Sequence, residues 1–224
     1  MKIDLHCHSY YSKDAISSPE KLIKTALKKG LNGIALTDHN TTAGWEEAMK
    51  SAEKLNAVLI LGEEIKTKRN GKTIGDILGL FLKEEIKSRE PFEVIKEIKA
   101  QGGIVIIPHP FHFPENFKES LEKYKNLIDG IEVFNARLPF SFRDKKSLEF
   151  AKKYNLAMTA GSDAHYYGGT GDAYVIANGA KNLEEFKKAI LEKKTKIEGK
   201  KSSPLYLVFP TLARIERIFG IKSN

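Results

Sequence analysis

Met1-Lys2-Ile3-Asp4-Leu5-His6-Cys7-His8 is a short, strand-like apolar run that ends in histidines, and the same wording returns along the chain. Gly33-Ile34-Ala35-Leu36-Thr37 leads into Asp38-His39, and Gly103-Ile104-Val105-Ile106-Ile107 leads into Pro108-His109. Candidate strands are Ile3–His6, Gly33–Thr37, Ala57–Leu61, Ile74–Phe81, Gly103–Ile107, Gly130–Phe134 and Ala157–Ala160, with a short extra one at Tyr174–Ala177. Several are continuously apolar rather than alternating, as expected of strands covered on both faces.

Helical segments fill the gaps. The first starts at Ser17-Ser18-Pro19-Glu20, a capping-box spacing with proline near the first turn, and ends at Gly30. Others are expected over 42–55, 91–101, 115–127, 143–154 and 183–193. Strand–helix alternation implies right-handed crossovers and a parallel sheet. About seven units predict a closed or nearly closed α/β barrel, with an open doubly wound sheet as the competing architecture. One segment interrupts the rhythm: Lys66-Thr67-Lys68-Arg69-Asn70-Gly71-Lys72-Thr73 carries Asn-Gly between extended runs, a hairpin signal. It reads as a small, basic hairpin insertion outside the barrel. The barrel is expected over residues 1–203, followed by an apolar-basic helical tail over 204–224.

With 224 residues and 41% of them hydrophobic, the chain can bury the core of one such domain. No run approaches the roughly 18 apolar residues of a membrane span, and the N-terminus lacks a leader pattern. The single cysteine leaves no internal disulfide framework. A cytoplasmic protein without membrane attachment is the expectation. A net charge of +8 favours anionic partners, although Lys/Glu alternation on helix faces also fits a plain solvated surface.

Five of the six histidines follow strands: His6 and His8 the first, His39 the second, His109 the fifth and His165 the seventh. Carboxylates accompany them at Asp4, Asp38, Glu64, Asp76, Glu132 and Asp163. In a parallel barrel all strand C-termini open on one face, so these side chains converge. Residues i, i+2 and i+4 of an extended strand share a side, so His6 and His8 can grip one ion while Asp4 orients one of the rings. A mixed imidazole–carboxylate set suits Zn²⁺, Mn²⁺ or Fe²⁺ better than Mg²⁺ alone. By the same alternation, Cys7 turns into the core.

Taken in order, Asp4-Leu5-His6-Cys7-His8-Ser9, Thr37-Asp38-His39-Asn40, Gly62-Glu63-Glu64-Ile65, Pro108-His109-Pro110 and Gly161-Ser162-Asp163-Ala164-His165 resemble the successive motifs of the PHP (polymerase and histidinol phosphatase) family. Residues 1 to about 177 carry the likeness, which is similar in wording to the short stand-alone members. The resemblance implies a distorted (β/α)7 TIM-like barrel and a metal-dependent phosphoesterase with two or three divalent ions (Zn, Mn or Fe). His6, His8, Glu64 and Asp163 would hold the first ion. Glu64 would bridge to a second ion with His109 and Asp76, while His39, His165 and Asp14 would hold a third. Asp14 and Asp76 stand where the most histidine-rich members carry histidine, and the hairpin leaves the register of Asp76 open. The family pattern selects Glu64 over its neighbour Glu63.

Near the site, Arg137 is a candidate clamp for a phosphate through two parallel hydrogen bonds. His39, Asp163 and His165 are the expected catalytic set, with His165 or the third ion assisting the leaving group. Glu132 reads as a support for a ligand, His112 as a substrate contact or a loop residue, and Tyr166-Tyr167-Gly168-Gly169 as a pocket mouth or a plain loop. The implied reaction is hydrolysis of a phosphate ester by a metal-activated water. A nucleotide or a short oligonucleotide end is the expected substrate, which makes nucleic-acid ends possible partners. A histidinol-phosphate-type phosphatase and a non-catalytic metal- or nucleic-acid-binding module are the rivals. Metal identity and oligomeric state stay open.

Overall fold

The computed structural model describes residues 1–112, 117–139 and 141–211. Nine strands form one sheet: β1 (Lys2–Cys7), β2 (Gly33–Leu36), β3 (Val58–Arg69), β4 (Lys72–Leu80), β5 (Ile104–Ile107), β6 (Gly130–Asn135), β7 (Ala157–Gly161), β8 (Ala173–Ile176) and β9 (Lys196–Gly199). Five helices connect them: α1 (Pro19–Lys28), α2 (Trp45–Leu55), α3 (Pro91–Ala100), α4 (Ser141–Lys153) and α5 (Leu183–Leu191). The hydrogen-bonded order is β7-β6-β5-β4-β3-β2-β1-β8-β9. The ends of the seven-strand arc meet: the backbone N–H of Asp163 donates to His6 O at 2.8 Å, and that of His8 donates to Ala164 O at 3.0 Å. A distorted seven-stranded barrel results, as the sequence predicts.

Two core layers sandwich the strands. Leu22, Ile23 and Ala26 of α1, Ala48 and Ala52 of α2, and Val94, Ile95 and Ile98 of α3 pack on outward residues such as Ile34, Leu36, Val105 and Ile107. Inward residues such as Ile60, Leu78, Ile104 and Ile106 form the second layer, closed by Phe186 and Ile190 of α5. Helix starts follow the sequence signals. Ser18 Oγ accepts from Lys21 N at 3.3 Å with Pro19 at the first turn, and Asn182 Oδ1 accepts from Glu185 N at 2.9 Å.

Two expectations change. The sheet is mixed, because β4 runs antiparallel to both β3 and β5, and β8 runs antiparallel to β1. Asn70 and Gly71 both hold positive φ, the two-residue turn that reverses the chain directly. Residues 74–80 of β4 are buried in the barrel wall, where a strand is expected, and the basic tip around Asn70-Gly71 is exposed. Second, residues 117–127 form no continuous helix. A single 3-10 turn stands at Leu121–Lys123, and positions 115 and 116 lie outside the described residues. At the start of the tail a short 3-10 turn occupies Pro204–Val208, and positions 212–224 of the expected helical tail lie outside the described residues.

Closure of the barrel depends on Gly161. A Cβ there would lie 2.2 Å from His6 Cβ and 2.9 Å from His6 N, backbone that cannot swing away. Gly161→Ala is expected to destabilise the fold by about 1–3 kcal/mol, the usual range for overpacking. In a thermal melt the loss should read as a fall of several degrees; an unchanged Tm would show that β1 and β7 can separate freely.

Candidate metal centre

A register shift in β1, between Asp4 and Cys7, determines which side chains reach the barrel interior. Before it, Ile3 and Leu5 belong to the inward core; after it, Cys7 joins the outer layer and His6 and His8 face in. Simple alternation from Asp4 through His8 is thereby corrected. The Asp4 carboxylate touches no imidazole. It accepts the backbone N–H groups of His6 (3.3 Å), Ser162 (2.9 Å) and Gly171 (2.7 Å), stitching β1 to the chain after β7. The ring of His6 is instead oriented by Glu132, whose Oε1 lies 3.0 Å from Nδ1. Glu132 Oε2 accepts from His109 N at 3.0 Å and from Asn135 Nδ2 at 2.9 Å, so one buried carboxylate sets two neighbouring donors.

Glu64 is the hub. Its Oε2 lies 3.4 Å from His6 Nε2, 3.3 Å from His8 Nε2 and 2.9 Å from His39 Nδ1, and its Oε1 lies 3.1 Å from His109 Nε2. Glu63 points the other way and accepts from Ile86 N, outside the barrel. Asp163 Oδ1 lies 3.9 Å from His6 Nε2, 3.4 Å from His8 Nε2 and 3.4 Å from His165 Nδ1. Asp14 Oδ1 lies 3.6 Å from His39 Nε2 and 3.5 Å from His165 Nε2. Asp76 is buried, and β4's reversal is what brings it here. Running antiparallel, β4 sets its first half beside the second half of β3, with Lys66 opposite Asp76 and Glu64 opposite Leu78.

Donor atoms that share an ion at about 2.1 Å, at angles of about 90–110°, stand about 3.0–3.4 Å apart. Many of the separations above fall in or close to that range. The atoms concerned are also unfulfilled: among the described residues, His6 Nε2, His8 Nε2, Glu64 Oε2, Asp76 Oδ1 and His165 Nε2 are buried without a hydrogen-bond partner. Buried polar atoms are rarely left so. Three overlapping sets converge within ligand range: His6, Glu64 and His109; His6, His8 and Asp163; and His8, His39 and His165. The residues therefore fit divalent ions.

Charge distribution supports the same reading. Burial works against an ionised Glu64, yet His6 and His39 hold its carboxyl well below the usual range. Asp163 is likewise held low despite burial, by Arg137 and His6, and Asp14 sits near about 2 beside His165 and His39. In return, and against burial, Glu64 lifts His39 and His109 to about 9. His8 and His165 are pushed down, by burial first and then by the neighbouring cations His39 and Arg137 respectively. Burial and the charge on Glu64 raise Asp76 to about 6. Ionised carboxylates thus balance protonated His39 and His109, and a cation bound by those two rings would replace their protons.

Strain marks the same places. His109 (φ 31°), Asp163 (φ 53°) and Asn40 (φ 54°) occupy the left-handed region, which costs non-glycine residues about 1–2 kcal/mol each. Ser12, which no motif singles out, supports the second-strand side. Its Oγ donates to Asp38 Oδ1 at 2.6 Å and accepts from His39 N at 3.0 Å. A cleft of about 700 Å³ opens beside it, lined by Tyr11, Lys13, Asp14, His39, Thr41 and Lys66 among others.

Residues 4–201 match the PHP domain family. The chain belongs to that family. An uncharacterized protein of Methanocaldococcus jannaschii is 40% identical over 148 residues, which are 61% of this chain and 82% of that protein. A 5′-3′ exoribonuclease of Haemophilus influenzae is 46% identical over 79 residues, 35% of this chain and 28% of its own length. Among solved structures, a two-domain Bacteroides vulgatus protein containing a predicted PHP-like metal-dependent phosphoesterase superposes with a TM-score of 0.75. It is 24% identical, over 89% of this chain and 65% of that one. The family match covers nearly the whole barrel, and the solved-structure likeness shows the shared fold.

Two sequence expectations land elsewhere on the PHP barrel. His112 does not face the cluster; its Nε2 meets Asp144 Oδ1 at 3.0 Å. Tyr166 stacks on Phe209 with ring centroids 3.8 Å apart and approaches Tyr206, so the 166–169 loop packs against the segment that follows β9. No helix among the described residues is long and apolar enough to cross a membrane.

Two outcomes are expected. Glu132→Gln should weaken divalent-metal affinity about 10–100-fold, the cost of disturbing a partner that orients a ligand, with little change in fold by circular dichroism. Uptake of Zn²⁺ or Mn²⁺ should release protons. Raised imidazoles stabilise the metal-free fold fully below about 6.5, and that contribution fades as pH rises through about 9. Metal affinity should therefore climb over the same window. Calorimetry in two buffers of different ionisation enthalpy measures this, and zero proton release near pH 7 would contradict it.

Proposed function

We propose that the chain is a metal-dependent phosphoesterase acting on nucleotides or short oligonucleotide ends. The observation that carries this is the convergence of unpartnered imidazole and carboxylate atoms around Glu64 in a PHP barrel. His6, His8, Glu64 and Asp163 would hold one divalent ion; Glu64, His109 and Asp76 a second; and His39, His165 and Asp14 a third. Zn, Mn or Fe suits the mixed donor set. Such ions supply Lewis acidity toward a phosphoryl group and an acidified water.

The chain's own residues do the rest. Glu132 fixes the His6 ring and the His109 backbone, so the donors need no rearrangement. Arg137 Nη1 lies 3.4 Å from Asp163 Oδ2, beside the cluster, where a guanidinium can take phosphoryl oxygens in a two-pronged grip. His165 would assist the leaving group from the cleft side, which His39 and Asp38 help to fix. Lys13 and Lys66 on the cleft walls favour an anionic substrate that extends outward. The partial match to a 5′-3′ exoribonuclease supports nucleotide-type substrates over histidinol phosphate.

The test is hydrolysis of an aryl phosphate, with nucleotides and oligonucleotides alongside, by protein loaded with Mn²⁺. Activity should appear and should fall by at least about 10²-fold in His6→Ala and Asp163→Ala, the scale on which loss of an electrostatic stabiliser is felt. Arg137→Ala should chiefly raise KM. Metal-loaded protein that hydrolyses no monoester, diester or nucleotide would overturn the proposal.

A further inference from the structure

The turn after β6 carries Arg137, and atoms from two distant segments, 161–163 and 201–202, hold it. Asn135 Oδ1 accepts from the backbone N–H groups of Arg137 (3.1 Å) and Leu138 (3.2 Å), while its Nδ2 donates to Glu132 and Asp163. Ala136 N donates to Gly161 O at 3.0 Å, and Ala136 O accepts from Ser202 N at 2.8 Å. One contact is unlike the others. The Lys201 ammonium, from the chain just after β9, donates to the backbone carbonyl of Asn135 at 2.8 Å.

Lys201 also pairs with Asp144 Oδ2, and Asp144 Oδ1 meets His112 Nε2 at 3.0 Å. His112 N in turn donates to His109 O at 3.1 Å. A charged chain thus runs from the His109 loop through α4 to Lys201 and ends on the Arg137 turn. His112 and Asp144 are buried, and the Lys201 side chain is only 26% exposed. Drawing such groups out of water is costly unless each is paired. None of the three touches an imidazole of the cluster. Their common product is the placement of one carbonyl at the root of the arginine turn.

We propose that Lys201, braced by Asp144 and His112, is a positioning residue that aims Arg137 at the substrate phosphate. The proposal rests on the phosphoesterase reading and on Arg137's part in it. A lysine stem can reach from outside the barrel, and its ammonium satisfies a carboxylate and a carbonyl at once. A neutral side chain at 201 would leave Asp144 buried beside His112 without its cation and would free the turn.

A double-mutant cycle separates aiming from general support. Lys201→Met should lower kcat/KM for an aryl phosphate about tenfold, mostly through KM, with Mn²⁺ affinity unchanged. Lys201→Arg should recover most of the loss. In an Arg137→Ala background, Lys201→Met should cost nothing more. Additive losses, a parallel fall in Mn²⁺ affinity, or wild-type kinetics in Lys201→Met would each overturn the proposal and leave the phosphoesterase reading intact. Wild type that is inactive when metal-loaded would overturn both. Asp144→Asn, which keeps the shape, serves in the same cycle should Lys201→Met fail to fold by circular dichroism.

Discussion

A single carboxylate surrounded by four imidazoles, Glu64, is the constraint around which the barrel is arranged. A charge buried that deeply must be balanced. The balance comes from β1, β2 and β5, each delivering a ring from the same rim. The apolar half of the barrel lies on the other side of those rings, where Ile60, Leu78 and Ile106 fill the interior and α5 seals the end. Polar above and apolar below, the interior leaves the ionised groups one partner, the cluster itself. Neighbouring structure serves that arrangement. Glu132 braces two donors, Asp38 anchors Ser9 and Ser12 behind His8, and Asp4 spends its carboxylate on backbone amides where the barrel closes.

Much of this was legible in the chain, because histidine at the end of an apolar strand is an unusual pairing and five of six fall in such places. Glu64 could be separated from Glu63 by family wording, and the structure has Glu63 facing outward under Ile86. What escaped was geometry that spacing does not encode. A register shift of one residue in β1 changed which face Asp4 occupies, and local sequence carries no mark of it. Asn-Gly announced a reversal and residues 74–81 read as a strand, but the strand–helix rhythm hid that β4 runs antiparallel to both neighbours, with Leu78 against Ile106 and Ile77 in the outer core. His112 likewise looked available for substrate until Asp144, 32 residues later, was seen to occupy its ring. Ser12 had no motif at all.

The reversal of β4 has chemical meaning. In a wholly parallel barrel every site residue comes from a strand's end or the loop beyond it. Here Asp76 sits within a strand, held by hydrogen bonds to a neighbour, with its register tied to Lys66. Strand residues are more rigidly placed than loop residues. The same reversal brings Lys66 to the cleft wall beside Lys13, so one hairpin supplies an anion to the cluster and a cation to its mouth.

The seam between β1 and β7 also sets an order of events in time. His6 and Asp163 are 157 positions apart in the chain, yet they meet through a backbone hydrogen bond across that seam. Contacts of such long separation form late, because the entropy of closing so large a loop must be met before they stabilise anything. During synthesis, the first strand waits for almost all the rest of the barrel. The set of His6, His8 and Asp163 is thus completed only when that seam closes, after the chain has been made past β7.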